Sequence, residues 1–213
     1  MKGLLYKDLM ILAQQAKSLL IILMCGVFMA FTFDGEFVIG YLSVVSAFAV
    51  LGTIGYDEFD HGFSFLFSLP VNRRTYVREK YLLTALTVIC TVIAGLLVVA
   101  VISLIRHEPI EFVPMIEGSL VMMGVALLMS AVSLPLRLKY GSEKSRMAQY
   151  IIYAVVLVAV FGSSSLMQFL HIDLSGINAI SADTAVPVIL MLFVILFVIS
   201  EKISERIIVK KEY

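Results

Sequence analysis

Six long apolar runs restrict what this chain can fold into more than any short motif does. They cover residues 18–33, 37–56, 81–105, 112–136, 147–170 and 185–200. A helix needs about 20 apolar residues to cross the hydrocarbon core of a bilayer, and the four middle runs reach that length. The chain is 61% hydrophobic and only 15% charged, against about 25% charged residues in soluble domains. No run alternates polar and apolar residues, so we predict an all-α polytopic membrane protein with six transmembrane helices in a single domain, residues 1–213.

The basic residues are distributed unevenly around these runs. Of the 16 lysines and arginines, Arg106 alone falls in a segment on the side opposite the N-terminus. Membrane proteins keep lysine and arginine in their short cytoplasmic segments. We therefore predict that both termini face the cytoplasm of a cell membrane. The segments predicted outside, residues 34–36, 106–111 and 171–184, are too short to form a domain.

The first 17 residues mix apolar and charged side chains. Leu5 and three other leucines recur at helical spacing, while Lys2, Lys7 and Asp8 supply charge. This pattern is typical of a helix that lies in the membrane interface with its lysines extended towards water. The alternative is that these residues simply extend the first span.

The segment between the second and third runs, residues 57–80, reads DEFDHGFSFLFSLPVNRRTYVREK. We predict that Asp57 and Glu58 lie at the start of a short helix, where negative charge interacts favourably with the helix dipole. The residues that follow are too apolar for a solvated loop, so we expect them to lie against the bilayer or against protein. Four of them are Phe63, Phe65, Leu66 and Phe67.

Pro70 divides this segment, because a proline disfavours helix in the residue before it. Asn72 can then cap a second helix, which carries a basic cluster into the third run. The cluster consists of Arg73, Arg74, Arg78 and Lys80. Two interpretations remain open. The segment is either an interfacial anchor whose basic residues contact lipid phosphates, or a docking surface for a cytosolic subunit.

A second turn on the same side is predicted between the fourth and fifth runs. Pro135 would end one helix there, and Gly141 would supply a turn or a helix C-cap. This segment is shorter and less apolar than residues 57–80. We therefore regard it as the weaker candidate for contact with a partner.

Small and polar residues inside the runs leave further alternatives. Ser43 and Ala47, at four-residue spacing, allow close helix approach, either within one chain or between two copies. The Ser163–Ser165 run either bends its helix or lines a polar pathway. Cys25 and Cys90 form no recognisable disulfide pattern, and we predict that both are buried apolar residues.

The functional groups that the sequence lacks restrict the function. The spans contain almost no ionisable residue, which weighs against transport driven by protons or sodium. The sequence has no P-loop, HExxH or other catalytic motif. We therefore predict that the chain is not an enzyme, binds no cofactor or metal, and takes any energy from another polypeptide. An uncharged pathway suits an amphipathic or apolar substrate. Four aromatic residues either line such a pathway or pack: Phe28, Phe31, Tyr41 and Phe48.

The two inner segments together resemble a known family. The first carries YDE at residues 56–58 and SLPVNRRTYVREKY at residues 68–81, and the second reads LPLRLKYGSEK at residues 134–144. With six spans and no large outer domain, this pattern resembles the small type-2 permeases of ATP-binding-cassette (ABC) exporters in Gram-positive bacteria. Some members of that family resemble exporters of cytolytic or antimicrobial peptides.

The resemblance implies specific partners. Two permease chains, identical or related, would pair, and each would be bound by a separate ATPase subunit that holds ATP and magnesium. An elbow helix at residues 1–17 and a coupling helix at residues 57–69 would contact the ATPases. No nucleic acid is expected as a partner.

Two further expectations follow from this reading. Phe65 and Phe67 would anchor the coupling helix, and Glu58 or Asp57 would pair with a basic residue of the ATPase. The alternative is a non-transporting immunity or sensor-partner protein that holds a cytosolic regulator through the same segment.

Overall fold

The computed structural model describes residues 2–59, 62, 63, 66, 72–107, 112–169 and 182–210, with the backbone alone for residues 2, 156–169 and 182–185. Its principal elements are six helices: α1 (Lys2–Gln14), α2 (Ala16–Ala30), α3 (Gly35–Glu58), α4 (Arg73–Arg106), α5 (Phe112–Phe169) and α6 (Ala182–Lys210). No strand occurs in these described ranges. The prediction of an all-α chain is therefore confirmed.

Four stretches of helix are long and apolar enough to cross a membrane: Gly35–Glu58, Arg73–Arg106, Phe112–Val155 and Val186–Lys210. The pair α1 and α2 is bent by 66° and would make a fifth if taken as one broken span. On its own α2 has 15 residues, or about 22 Å of helix, which is short of the roughly 30 Å hydrocarbon core. The chain is a polytopic helical protein, and the count of six spans stays a prediction.

The predicted break at Pro135 is wrong, because α5 continues through that residue. A proline inside a helix leaves the carbonyl four residues earlier without its usual amide donor, which here is the carbonyl of Ala131. The hydroxyl of Ser200 on α6 donates a hydrogen bond to this carbonyl. The neighbouring helix therefore satisfies the group that the proline leaves free, and the helix need not end.

The direction of α5 changes instead at Gly141, whose backbone angles are φ 79° and ψ 173°. Glycine adopts positive φ without the strain that a Cβ atom brings. A Cβ atom at this position would also collide with the carboxylate of Glu58. The fourth and fifth apolar runs are therefore two helical halves joined directly at a kink, with no intervening loop.

At the centre of the bundle lies α3, which contacts α1, α2, α4 and α5. Its Ser43 and Ala47 are fully or almost fully buried inside the chain. This burial favours packing within one bundle over an interface between copies. By contrast, Cys25 and Cys90 are exposed on helix surfaces, so the prediction of buried thiols is wrong. Apolar character marks both buried and lipid-facing positions, and it does not distinguish them.

The segments predicted to be cytoplasmic meet at one end of the bundle, which we call the basic end. Three contacts join them there: Lys7 with Asp57, Glu58 with Ser142, and Arg78 with Glu205. At the opposite end, Arg106 donates a hydrogen bond to the carbonyl of Phe31 at 2.8 Å. The fold thus segregates the basic segments as the sequence count requires, while the side of the membrane that each end faces stays a prediction.

Candidate functional site

Asp57 and Glu58 are the last two residues of α3, and Phe59 is its C-cap. The prediction that they begin a separate short helix is wrong in this respect. A helix C-terminus carries a partial negative charge, so carboxylates there are disfavoured unless other groups compensate them. The structure supplies that compensation to each of the two side chains in a different way.

Asp57 is compensated by two lysines. Its side chain is 6% exposed and forms an ion pair with Lys7 of α1. The second carboxylate oxygen lies 2.9 Å from Lys80 Nζ and accepts a hydrogen bond from the hydroxyl of Tyr76 at 2.8 Å. The end of α3 is therefore joined to both α1 and the start of α4.

Lys80 completes a set of buried charges at this point. Its side chain is 0% exposed and forms an ion pair with Asp8, which is also fully buried. The ammonium group additionally donates to Thr53 Oγ1 at 2.8 Å and lies 5.2 Å from the centre of the Tyr76 ring. The suggestion that Lys80 contacts lipid phosphates is therefore wrong.

We call these five residues the ion-pair cluster: Lys7, Asp8, Asp57, Tyr76 and Lys80. Asp8 and Lys80 are separated by 72 positions in the sequence, and no local pattern pairs them. The one available signal was that a buried lysine or aspartate is rarely left unpaired. Burial itself, however, could not be read from two charged positions at helix ends.

Glu79 places a third carboxyl group beside the cluster. Its side chain is almost fully buried, and neither of its carboxyl oxygens has a hydrogen-bond partner in the described part of the chain. Asp8 is a close neighbour of this carboxyl group. Asp8 Oδ1 likewise accepts no hydrogen bond, although Lys7 Nζ lies 3.3 Å away. Two lysines thus face three carboxyl groups, so one carboxyl group has no lysine of its own.

Glu58 is compensated by the kink of α5. Its carboxylate accepts a hydrogen bond at 2.6 Å from the backbone amide of Ser142, the residue that follows Gly141. A helix begins again at Ser142, and its first amides have no partner within the helix. Glu58 therefore links the end of α3 to the second half of α5.

The predicted coupling helix is described at only a few positions. Phe63 and Leu66 are buried in the same core as α3 and α4, and the Phe63 ring packs edge-on against Tyr76 with centroids 5.9 Å apart. These two side chains pack against the chain itself. Phe65, Phe67 and Pro70 lie outside the described residues, and their predicted roles stay predictions.

The cap at Asn72 is confirmed, because its side chain accepts a hydrogen bond from the amide of Arg74 at 3.2 Å. The basic residues that follow turn towards α6. Arg78 Nε lies 2.6 Å from Glu205 Oε1. Arg73 donates to the carbonyl of Val209 at 3.5 Å. Arg74 borders a cleft with the last turns of α6.

The remaining candidates are dispersed over the helix surfaces. Leu5 of α1 is half-buried, whereas the side chain of Lys2 is not described. Phe28 and Phe31, on and just after α2, are exposed. On α3, Tyr41 is partly buried, and Phe48 contacts Tyr153 edge-on at 6.4 Å. Their assignment to a pathway stays a prediction, as does the role of Ser163–Ser165, whose side chains are not described.

The fold and this site together define a polytopic helical membrane protein. Buried ion pairs hold the helices together at its basic end. The family model described as "ABC-2 family transporter protein" matches residues 3–209. The chain belongs to this family. Members of the family are the transmembrane components of ABC transporters and work with a cytosolic ATPase subunit. No curated protein and no solved structure matched the chain significantly.

Proposed function

We propose that this permease subunit exports an amphipathic or apolar molecule, such as a peptide, and that ATPase subunits drive it through the basic end. It would act with a second permease chain, either a copy of itself or a related one. The observation that carries this proposal is the ion-pair cluster, which joins the three segments expected to lie nearest the ATPase. These segments are α1, the end of α3 and the start of α4.

The cluster suits a coupling role because buried ion pairs are costly to separate. Removing one partner of such a pair destabilises a protein by about 3–5 kcal/mol. A displacement imposed on α1, or on residues 57–66, would therefore move the ends of α3 and α4 together. In this proposal the elbow and the coupling segment act as one body.

The displacement also has a route into the rest of the bundle. From the cluster, α3 runs through the centre and contacts α5 as well as α4. The hydrogen bond between Glu58 and Ser142 links it to the kink of α5. The ATPase would change the position of the helices by contacting the basic end differently in its ATP-bound and ATP-free states.

The acids at the end of α3 take a modified role in this proposal. Asp57 is occupied by contacts within the chain, and its task is to hold the coupling segment in place. Phe65 and Phe67 remain the proposed anchors on the ATPase. A pairing of Glu58 with a basic ATPase residue would have to compete with its bond to Ser142.

The apolar nature of the bundle supports the proposed class of substrate. A groove of about 240 Å³ runs beside α2, α3 and α4 and is lined mainly by leucine, isoleucine and valine side chains. Its polar contribution includes the hydroxyl groups of Ser46 and Thr91, which are 2.9 Å apart. These hydroxyl groups are already bonded to each other and to backbone carbonyls, so the lining accommodates apolar side chains.

The decisive experiment is to co-express the chain with its ATPase, purify the complex and measure substrate-stimulated ATP hydrolysis in proteoliposomes. We expect a stoichiometric ATPase subunit to co-purify, and charge reversal by Glu58→Lys to lower stimulation while membrane insertion is retained. A chain that purifies without any nucleotide-binding subunit would instead favour the immunity or sensor-partner alternative.

A milder variant separates two explanations for the effect of Glu58→Lys. Glu58→Gln keeps an oxygen that can accept from Ser142 but removes the charge. Loss of stimulation in both variants would support an ion pair with the ATPase. Loss in Glu58→Lys alone would assign the effect to the link with α5. Unchanged stimulation in both would exclude Glu58 from coupling.

A further inference from the structure

A second feature of the basic end lies apart from the ion-pair cluster. A cavity of about 440 Å³ opens between the last turns of α3 and the kink of α5. Its lining includes Gly52, Gly55 and Tyr56 from α3, and Arg137, Glu143 and Arg146 from α5. The two glycines bring no side chains, which leaves space in front of the arginines.

Arg137 is the buried residue of this lining, with 9% of its surface exposed. One terminal nitrogen donates a hydrogen bond to the carbonyl of Leu51. Its Nε atom has no acceptor in the described part of the chain. A buried donor on a charged group that lacks a partner is unfavourable. The guanidinium is thus incompletely satisfied within the described part of the chain, and it borders the cavity.

Arg146 brings a second positive charge to the same cavity and is exposed. It is close enough for its charge to act on Arg137, and like charges at such proximity repel. Glu58 is also near Arg137, and its carboxylate accepts a hydrogen bond from the amide of Ser142. Among the described residues that line the cavity, the two arginines face one acid, Glu143.

The surroundings of the cavity are those of a membrane interface. Tyr56 and Phe59 stand at its edge and are well exposed, and aromatic residues are enriched at the level of lipid headgroups. Directly after Arg146, α5 presents an exposed apolar surface. It includes Met147, Tyr150 and Ile151. An acyl chain could lie along this surface while its headgroup reaches the arginines.

We propose that this cavity binds the phosphate group of an anionic phospholipid from the leaflet at the basic end. Guanidinium groups recognise phosphate oxygens through paired, charge-assisted hydrogen bonds. The phosphate would accept hydrogen bonds from the part of the Arg137 guanidinium that borders the cavity and from Arg146, and its negative charge would offset the repulsion between them. Lipid bound there would stabilise the packing of the end of α3 against the kink of α5. This site is independent of whether the chain exports anything.

The test uses the full-length chain in nanodiscs of neutral phosphatidylcholine, to which phosphatidylglycerol is added in steps. Binding is measured as the increase in the unfolding temperature and by native mass spectrometry of the released complex. We expect one phosphatidylglycerol per chain to be retained preferentially. Arg137→Gln and Arg146→Gln should each weaken this binding by about tenfold or more, since each removes a charge-assisted bond.

Lys139→Gln is the matched control. Lys139 lies on the same helix, is exposed and sits over the ring of Tyr140, so the variant makes the same change in charge outside the cavity. It should bind phosphatidylglycerol as the unmodified chain does. An equal loss in all three variants would overturn the proposal, because it would show general attraction to charge.

Two further arms distinguish the source of the phosphate and guard against misfolding. Inorganic phosphate alone should stabilise the chain far less than the lipid does, and an equal effect would overturn the assignment to a lipid. If Arg137→Gln fails to fold, the exposed Arg146→Gln still decides the matter. Full phosphatidylglycerol binding by a folded Arg146→Gln variant would contradict the proposal.

Discussion

At the scale of single residues, charge burial is the unusual feature of this protein. Lys80 and Asp8 are both fully buried although each is ionisable. The isolated cost of burying such charges is large, and it is offset only where pairing and hydrogen bonding are close to complete. Asp57, Tyr76 and Thr53 provide that pairing around Lys80.

Replacement of Lys80 by methionine should be strongly destabilising. Lys80→Met leaves the buried Asp8 without its principal partner and removes one of two lysines from Asp57. We expect a loss of about 3–5 kcal/mol, measured as a lower unfolding temperature in detergent. The control Lys202→Met affects an exposed lysine with a 3.7 Å contact to Glu205 and should cost at most about 1 kcal/mol. A similar small effect at Lys80 would refute the importance of the cluster.

For Glu79, the buried acid without a lysine of its own, we predict no loss of stability on substitution. Glu79→Gln removes the third carboxyl group while keeping the shape of the side chain and placing an amide donor near Asp8. We therefore expect the unfolding temperature to rise or stay unchanged, with membrane insertion retained. Glu143→Gln, at an exposed position, should have no measurable effect. A marked loss of stability in Glu79→Gln would mean that the carboxyl group of Glu79 is required.

At the scale of the helices, the sequence predicted what depends on local interactions and missed what depends on distant ones. The cap at Asn72 is set by residues two positions apart, and it is present. The continuation of α5 past Pro135 depends on Ser200, which is 69 positions from the Ala131 carbonyl that it satisfies. Hydropathy located α5 and α6, but it carries no information on which hydroxyl faces which carbonyl.

The contact between Ser200 and Ala131 can be tested by a double-mutant cycle. Ser200→Ala leaves the Ala131 carbonyl without a donor and should cost about 1–3 kcal/mol. In a Pro135→Ala background, residue 135 regains its amide and can donate to that carbonyl itself. The cost of Ser200→Ala should then be smaller, as measured by thermal unfolding. Equal costs in both backgrounds would show that Ser200 acts elsewhere, for example through its 2.7 Å contact with the Tyr81 hydroxyl.

At the scale of the whole molecule, the segregation of basic residues to one end was predictable. The pairing of side chains within that end was not. Counting lysines and arginines requires only the order of segments along the chain. Pairing Lys7 with Asp57 requires knowing that the chain bends by 66° between α1 and α2. It also requires knowing that α1 packs against α3. No glycine or proline marks that bend, and the change from mixed to apolar composition after residue 17 indicated a boundary but not the direction of α1.

The orientation can be measured with single cysteines in a chain whose Cys25 and Cys90 have been replaced by alanine. A membrane-impermeant thiol reagent should label Asp34→Cys in intact cells, because residue 34 lies at the end opposite the cluster. Lys210→Cys should be labelled only after the cells are permeabilised. The reverse pattern would place the basic end outside and would contradict the predicted topology.

The ion-pair cluster also bears on biosynthesis. Chains are made from the N-terminus, so Lys7, Asp8 and Asp57 all emerge from the ribosome before Lys80 does. Until then the acids outnumber the available lysine, and α1 lacks its contacts with α4 and the ion pair between Asp8 and Lys80. We expect a chain truncated before Lys80 to leave α1 open to protease added from the basic end, and one truncated after Arg106 to protect it. Docking of the N-terminal helix would therefore be a late event that depends on synthesis of the start of α4.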